Sequence, residues 1–424
     1  MRSIWRLLAH NRDYRCLILA GVISLTGDWA LRVGLAYYVY LITGSTVASG
    51  LMVAASILPQ LMLGSIAGVF VDRWDRRRTM VTVSILLGAA LLPLLAVQSA
   101  ADVWIVYLVA FVEGILTQFF LPAEAAVIPS LVDEADLITA NAVNSQTRDT
   151  ARLVGSAIGG ILASTAGVTG LTFLDAGSFL TAAILLLLIG NRVPARLPAT
   201  GPLADQHLLR QLAADWQAGI TTARRSRILR SLLGFALLTG LGEGVVSTLF
   251  APFVRSVLHG TAADYGVILS AQAAGGIAGG LVAAAIAHRF RPEAVFLAGT
   301  AAFGALDLVL FCYPLLARPI WPALVLMVVI GLPGALLVAG LMTIFQQATS
   351  DSQRGRIFGT ANTLEGAGML IGALGAGWLA GQIGIVAVIS IQAAAYLCSA
   401  AVMRRPLRRL ELPVDSLSSV SGQE

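Results

Sequence analysis

Residues 153–167, LVGSAIGGILASTAG, are repeated in outline at residues 370–384, LIGALGAGWLAGQIG. The two stretches carry leucine, glycine and alanine at matched positions 217 residues apart. Other residues match at offsets of 215 to 217: Gly27 with Gly242, Gly44 with Gly260, Gly50 with Gly266, Arg73 with Arg289 and Gly114 with Gly331. One register shared by so many glycines predicts that the chain consists of two halves with the same fold.

The composition places both halves in a membrane. Of the 424 residues, 57% are hydrophobic and 12% are charged, and the mean hydropathy is +0.82. Soluble globular proteins carry about 25% charged residues, so the composition excludes that class. A membrane-spanning helix needs about 20 mostly apolar residues, and a chain of this length has room for about a dozen.

Apolar runs broken at charges and at Gly, Pro or Asn clusters predict twelve helices, six in each half. They cover residues 16–42, 46–71, 79–98, 103–127, 148–166, 169–190, 229–254, 263–287, 294–315, 320–347, 356–382 and 385–403. The predicted fold is an all-α membrane protein with two pseudo-symmetric six-helix bundles, related by an axis along the membrane normal. The predicted domains are bundles at residues 1–190 and 229–410, a polar cytoplasmic linker at 191–228 and a disordered cytoplasmic tail at 411–424.

The arginines predict the orientation. All 28 basic residues are arginines, and 24 of them lie in the N-terminus, the C-terminus or the loops that follow even-numbered spans. Arg255 and Arg318 lie in the opposite loops, while Arg32 and Arg152 fall inside or at the edge of spans. Because cytoplasmic loops carry the excess of positive charge, both termini are predicted to lie in the cytoplasm. The net charge of +5 is therefore attributed to orientation rather than to a nucleic-acid partner.

The loop after the second span reads GSIAGVFVDRWDRRR, residues 64–78. It resembles the Gly-x-x-x-Asp-Arg-x-Gly-Arg-Arg signature of the major facilitator superfamily, with Asp75 in the place of the second glycine. The resemblance implies twelve spans, alternating access and a cytoplasmic gating loop that latches the outward-facing state. The residues that match this loop are Gly68, Asp72, Arg73, Arg76 and Arg77.

The chain is more closely similar to the drug-efflux branch that contains macrolide and enterobactin exporters. The similar segments are residues 26–29 (TGDW), 41–45 (LITGS), 122–132 (PAEAAVIPSLV) and 140–144 (ANAVN). Glu124 stands where that branch leads us to expect arginine, and Ser156 replaces the proline of the antiporter signature in span five. The resemblance implies export of a small molecule.

Ionisable side chains inside the spans are the candidate functional residues, because a charge at the bilayer centre costs about 2.5–3.5 kcal/mol on insertion scales. Asp28 and Arg32 are four residues apart and share one helical face. We expect this pair to line a central cavity, since span one does so in the resembled superfamily; the alternative is simple mutual neutralisation. Trp29, next to Asp28, is a candidate contact for an apolar or aromatic substrate.

Glu113 in span four has no basic residue within one helical turn. A carboxylate without a counter-charge is stabilised as the protonated acid, so Glu113 is predicted to carry the coupling proton or to contact substrate; the alternative is a hydrogen-bonded structural glutamate. Glu243, the repeat partner of Asp28, is an equivalent candidate. Asp175 and Asp307 lie in spans that are peripheral in the resembled fold, so we expect hydrogen bonds to neighbouring helices there.

No sequence feature indicates an enzyme. A chain without lysine cannot carry a nucleotide-binding Gly-x-x-x-x-Gly-Lys loop, so an ion gradient is the expected driving force. Cys16, Cys312 and Cys398 show no metal-binding spacing, and neither a metal nor another cofactor is expected. The four histidines lie outside the spans, which leaves proton transfer to carboxylates.

These features predict a secondary transporter that exports an amphipathic small molecule, drug-like, macrolide-like or siderophore-like, in exchange for protons. Its expected partners are that small-molecule substrate, protons and the lipid bilayer, and it is expected to act as a monomer. Three alternatives remain open on the sequence: a lysolipid flippase, an uptake symporter and a non-transporting membrane sensor.

Overall fold

The computed structural model describes residues 7–71, 73–190, 221, 226–286, 289–349 and 351–408. Within these ranges the chain forms twelve long helices and no strand, which confirms the predicted all-α fold. The helices are α1 (Arg12–Thr43), α2 (Thr46–Val71), α3 (Arg76–Ala90), α4 (Val103–Leu131), α5 (Leu137–Thr165), α6 (Gly167–Leu187), α7 (Arg227–Pro252), α8 (Ala262–Ile286), α9 (Pro292–Cys312), α10 (Trp321–Ala348), α11 (Asp351–Ile383) and α12 (Ile385–Arg408).

Short polar residues and glycine set the ends of the first helices. The side chain of Asn11 accepts a hydrogen bond from the Tyr14 N–H at 2.9 Å and begins α1. Gly44 ends the same helix with a φ of 61°, a conformation that glycine adopts without a Cβ clash. Asp75 accepts from the Arg78 N–H at 2.8 Å and begins α3. The aspartate that departs from the superfamily signature is therefore a helix cap.

Helix α5 begins at Leu137, eleven residues before the predicted start at residue 148, so that boundary was wrong. Asn141, Asn144 and Gln146 interrupt the apolar run, but polar side chains do not break backbone hydrogen bonding. In the described part of the chain, eleven helices are long and apolar enough to cross a membrane. Helix α5 is the long helix that falls short, because its first half is polar.

Two other helices end in altered geometry. Pro93 lies at the start of a 3₁₀ turn, Leu92–Ala96, that follows α3, where the sequence predicted a continuous helix to residue 98. A π-helical turn, Phe253–Val257, follows Pro252 at the end of α7. Proline lacks the N–H that an α-helix interior requires, which accounts for the change after α3.

The two halves are built alike. In the first, α1 packs against α5 and α6, and α2 packs against α4; in the second, α7 packs against α11 and α12, and α8 against α10. The repeated glycines make equivalent contacts. A Cβ added to Gly155 would lie 2.5 Å from the carbonyl oxygen of Thr26 in α1, and one added to Gly372 would lie 2.1 Å from that of Leu241 in α7. The repeat read from the sequence therefore corresponds to a structural repeat.

Pairs of small residues join the halves. An added Cβ on Gly160 of α5 would lie 2.8 Å from the Cα of Gly266 in α8, and one on Gly50 of α2 would lie 3.5 Å from the Cα of Gly377 in α11. These two pairs are related by the repeat. Side chains without bulk let helix backbones approach this closely.

Hydrogen bonds also cross between the halves at this end of the molecule. The Tyr37 hydroxyl donates to the carbonyl of Gly260 at 2.8 Å, and the Thr46 hydroxyl donates to that of Gly377 at 2.7 Å. The rings of Tyr37 and Tyr265 lie 6.2 Å apart in one buried apolar cluster. We call this end, which carries the α1–α2 turn and the α7–α8 connection, the closed end.

Candidate functional site

A cavity of about 350 Å³ lies between the two halves. Its polar lining comes from both halves and consists of Arg32, Ser56, Glu113, Arg152, Glu243, Ser247, Gln272, Asp307 and Gln392. Its apolar lining is rich in aromatic and methionine side chains, including Trp29, Met52, Phe250, Tyr265, Phe303, Phe311, Met327 and Met369. An apolar cavity with a few convergent polar groups is the usual form of a small-molecule site.

Arg32 connects two carboxylates in the first half. Its Nε lies 2.9 Å from Oδ1 of Asp28 within α1, and its Nη2 lies 3.6 Å from Oε1 of Glu113 in α4. The side chain of Arg32 is 51% exposed, whereas those of Asp28 and Glu113 are 15% and 11% exposed. The arginine therefore reaches the cavity while its closer partner, Asp28, lies behind it.

Two sequence expectations about this cluster need correction. Glu113 was expected to lack a basic partner, but the packing of α1 on α4 brings Arg32 to it. Asp28 was expected to line the central cavity together with Arg32. It instead lines a smaller cavity of about 50 Å³ inside the first half, beside Glu124 and Arg148.

Trp29 lines the central cavity, as the sequence suggested, but a second arginine covers it. The Arg152 guanidinium carbon lies 5.4 Å from the centre of the Trp29 ring, within the range of a cation–π contact. The same guanidinium donates a hydrogen bond to the side-chain oxygen of Gln272 in α8. Arg152 thus links α1 and α5 of one half to α8 of the other.

Within the described part of the chain, the two aspartates expected to form hydrogen bonds to neighbouring helices form none. Asp175 is fully buried, and its Oδ1 accepts from the Ser178 hydroxyl of its own helix at 3.0 Å. Its second oxygen has no hydrogen-bond partner among the described atoms. Asp307 was expected to be peripheral, but it lines the central cavity although it is only 4% exposed. Helix α9 reaches the cavity because Gly304, one turn before Asp307, lets it lie close to Tyr396 of α12.

Glu243 is exposed and lines the cavity from α7. Its neighbour Gly242 packs on α12, where an added Cβ would lie 2.8 Å from Cγ of Gln392. The same arrangement occurs in the first half, where an added Cβ on Gly27 would lie 2.5 Å from Oδ1 of Asp175. The repeat therefore places Glu243 where Asp28 lies and Gln392 where Asp175 lies.

A family model described as transmembrane secretion effector matches residues 3–422. The chain belongs to this family of major facilitator transporters. It is a multi-pass membrane transporter and not an enzyme.

Two of the proteins similar to this transporter are exporters by name. Macrolide efflux protein A of Streptococcus pyogenes is 24% identical over 395 residues, which cover 92% of this chain and 95% of that protein. The enterobactin exporter EntS of Citrobacter koseri is 28% identical over 392 residues, which cover 87% of each chain. The resemblance to this branch that the sequence predicted is confirmed.

Solved structures share the fold of the transporter. The nucleoside transporter NupG has a TM-score of 0.75 at 13% identity, covering 93% of this chain and 99% of that one. A bacterial homologue of the iron transporter ferroportin, solved in an inward-facing state, has a TM-score of 0.73 at 13% identity, covering 93% and 98%. At this identity the likeness concerns the fold alone.

The arginines of the predicted gating loop bind their own half of the transporter. Arg76 donates to the carbonyl of Ala126 in α4 at 2.7 Å, and Arg77 donates to the carbonyls of Leu186, at 3.1 Å, and Leu187. Gly68 makes no close contact with another helix, since an added Cβ there would meet no neighbouring described atom within 4 Å. Arg73 is half-buried in the turn. Asp72 lies outside the described residues.

Sequence reasoning missed one buried ion pair and one bridge between the halves. Glu124 is 4% exposed and accepts from Arg148 at 2.9 Å. In the sequence, Glu124 stood out only because it departs from the resembled branch, and Arg148 was counted among the arginines of a loop. Arg152 was noted as a charge at the edge of a span, which is the signal that could have identified it.

Proposed function

We propose that this transporter exports an amphipathic small molecule from the cytoplasm in exchange for protons, by alternating access. The mixed lining of the central cavity supports an amphipathic substrate: it combines aromatic and methionine side chains with charged groups from both halves. The similarity to macrolide efflux protein A and to the enterobactin exporter EntS supports export.

The observation that carries proton coupling is the sharing of Arg32 between two carboxylates. One guanidinium faces Asp28 at 2.9 Å and Glu113 at 3.6 Å, so the cluster holds one more acid than base. Protonation of Glu113 leaves the shorter Arg32–Asp28 pair intact, so Glu113 is the residue proposed to take up and release the proton.

The arginine distribution supports a cytoplasmic membrane location with both termini in the cytoplasm. In that orientation the closed end faces outward, and the described conformation is inward-facing. Cysteines placed in residues 191–228 should then resist membrane-impermeant maleimide added to intact cells. Labelling from outside would reverse the orientation.

The loop that contains Asp72 is proposed to act as a latch at the cytoplasmic end. Arg76 and Arg77, which match the same loop, donate to carbonyls of their own half in the described conformation. A carboxylate near a helix N-terminus contributes about 0.3–1 kcal/mol, so Asp72→Asn should lower turnover while substrate binding stays largely intact. Unchanged turnover in a well-expressed variant would remove the latch role.

The direct test is transport by purified protein in liposomes with an imposed pH gradient. Dyes, macrolides, siderophores and lysolipids would be screened as substrates. Accumulation of a soluble amphiphile against its gradient, only when the pH gradient is present and oriented for exchange, is the expected result. Movement of lysolipid alone would indicate a flippase, accumulation with protons moving alongside substrate would indicate a symporter, and no transport would indicate a sensor.

A further inference from the structure

We propose that the second half of the central cavity contains a binding site for a protonated amine, formed by Glu243, Asp307 and Gln392. This inference rests on the proposed export function and specifies its substrate as a cationic amphiphile. The three residues come from α7, α9 and α12 and line the same cavity. The ammonium group would bind them, while the apolar body of the molecule would lie against aromatic and methionine side chains.

Glycine contacts bring the three helices together at this site. Gly242, next to Glu243, packs on Gln392, and Gly304, one turn before Asp307, would place an added Cβ 2.9 Å from Cβ of Tyr396. Tyr396 lies one turn after Gln392 on α12 and packs against Phe303, with ring centres 4.9 Å apart and ring planes tilted by 58°. The two carboxylates and the amide therefore face one region of the cavity from three packed helices.

The site offers hydrogen-bond acceptors and leaves one of them without a partner. Gln392 is 2% exposed and lines the cavity, and its Oε1 has no hydrogen-bond partner among the described atoms. A buried acceptor of this kind is costly to leave unpaired. An ammonium group has N–H donors and no acceptor, so it would satisfy Gln392 and compensate the two carboxylates at once.

The internal repeat shows that the second half lacks a counterpart of Arg32. In the first half Asp28 has Arg32 one turn later to neutralise it. The residue equivalent to Arg32 in the second half is Ser247, one turn after Glu243, and it lines the cavity. The first half therefore supplies its own cation, and the second half leaves that place for a cation from outside the chain.

The surrounding charged groups do not supply that cation. Glu365 of α11 adds a third carboxylate near Glu243, and Tyr396 contributes a neutral hydroxyl. Arg152 also lines the cavity, but within the described part of the chain no ion pair shorter than 4 Å joins it to Glu243. Its guanidinium instead contacts Trp29 and Gln272.

The deciding experiment introduces the missing arginine. Equilibrium binding of propranolol and erythromycin, both protonated amines at neutral pH, would be measured on purified protein in lipid nanodiscs. N-acetylpropranolol, which keeps the ring system and lacks the charge, is the matched neutral probe. The variants are Ser247→Arg, Ser247→Gln, Glu243→Gln and Asp307→Asn, with thermal unfolding as a check that each folds. Ser247→Gln measures the effect of added volume, so its comparison with Ser247→Arg isolates the effect of charge.

We expect at least one amine to bind, and to bind at least about tenfold more weakly to Ser247→Arg than to Ser247→Gln, because the arginine would take the place of the ammonium group beside Glu243; tenfold corresponds to about 1.4 kcal/mol. Glu243→Gln and Asp307→Asn should each weaken it by a similar factor, and N-acetylpropranolol should bind weakly to all. Equal amine binding by the two Ser247 variants, or no binding of any amine by the unmodified protein, would overturn the site. Proton-driven export of an uncharged or anionic amphiphile in liposomes would overturn the site while leaving the proposed function in place.

Discussion

The guanidinium of Arg32 lies 3.6 Å from the carboxylate of Glu113, across the contact between α1 and α4. The same guanidinium holds Asp28 at 2.9 Å on its own helix. The longer of the two contacts is the one that faces the central cavity, so it can open without loss of the shorter one. We therefore assign different roles to the two acids: Asp28 keeps the arginine in place, and Glu113 can exchange a proton.

Removing the arginine should destabilise the protein more than removing one acid. Arg32→Gln leaves two nearby carboxylates without a cation, at a cost of about 2 kcal/mol, between the values for exposed and buried pairs. The thermal unfolding midpoint in detergent should fall, and Arg32→Gln combined with Asp28→Asn should recover part of the loss. A double variant as unstable as the sum of the single variants would show that the pair is not coupled.

The two members of the Glu124–Arg148 ion pair should contribute unequally to stability when each is mutated. The Glu124 side chain is 5% exposed, whereas that of Arg148 is 45% exposed and can turn toward water. Arg148→Gln leaves a buried carboxylate without its counter-charge and should lower the free energy of unfolding by about 3 kcal/mol. Glu124→Gln should lower it by about 1 kcal/mol. Thermal unfolding of the two variants measures the difference. Equal costs would mean that the carboxylate has other sources of stabilisation.

Closure at the closed end should depend on Gly160. In Gly160→Ala the new methyl group would lie 2.5 Å from the carbonyl oxygen of Ala262, so α5 and α8 must move apart. In a background without the native cysteines, a cysteine at buried Ser270, whose hydroxyl donates to the carbonyl of Leu153 at 2.7 Å, should react several-fold faster with a soluble maleimide.

Gly177→Ala is the matched control for that experiment, because no described atom lies within 4 Å of an added Cβ there. Its labelling rate should equal that of the unmodified background. If Gly160→Ala also labels at that rate, the contact between α5 and α8 does not control access at the closed end.

Much of the fold could be predicted from the sequence, because it depends on local hydropathy and on a repeat. The repeated glycines predicted two halves with the same fold, and in the structure several of them lie at contacts within each half and between the halves. The start of α5 could not be found this way, since Asn141 and Asn144 lower hydropathy without ending a helix. Helix formation depends on backbone hydrogen bonds, which the apolar pattern reports only indirectly.

The candidate site was predicted in part. The sequence identified Arg32, Glu113 and Glu243 as cavity residues, because charges inside spans are costly and few. It could not pair Arg32 with Glu113, since the two are far apart in the chain and meet only through the packing of α1 on α4. It also assigned Asp307 to the periphery by analogy, whereas close packing at Gly304 brings α9 to the cavity.

The central claim, that Glu113 couples export to protons, is tested most directly by uphill transport in proteoliposomes by Glu113→Gln. An amide at this position cannot gain or lose a proton, so the variant should fail to concentrate substrate under an imposed pH gradient. It should still exchange labelled for unlabelled substrate down a gradient, which shows that it folds and binds. Parallel Asp28→Asn and Glu243→Gln variants identify any other carrier. Concentration of substrate by Glu113→Gln at the rate of the unmodified protein would contradict the claim.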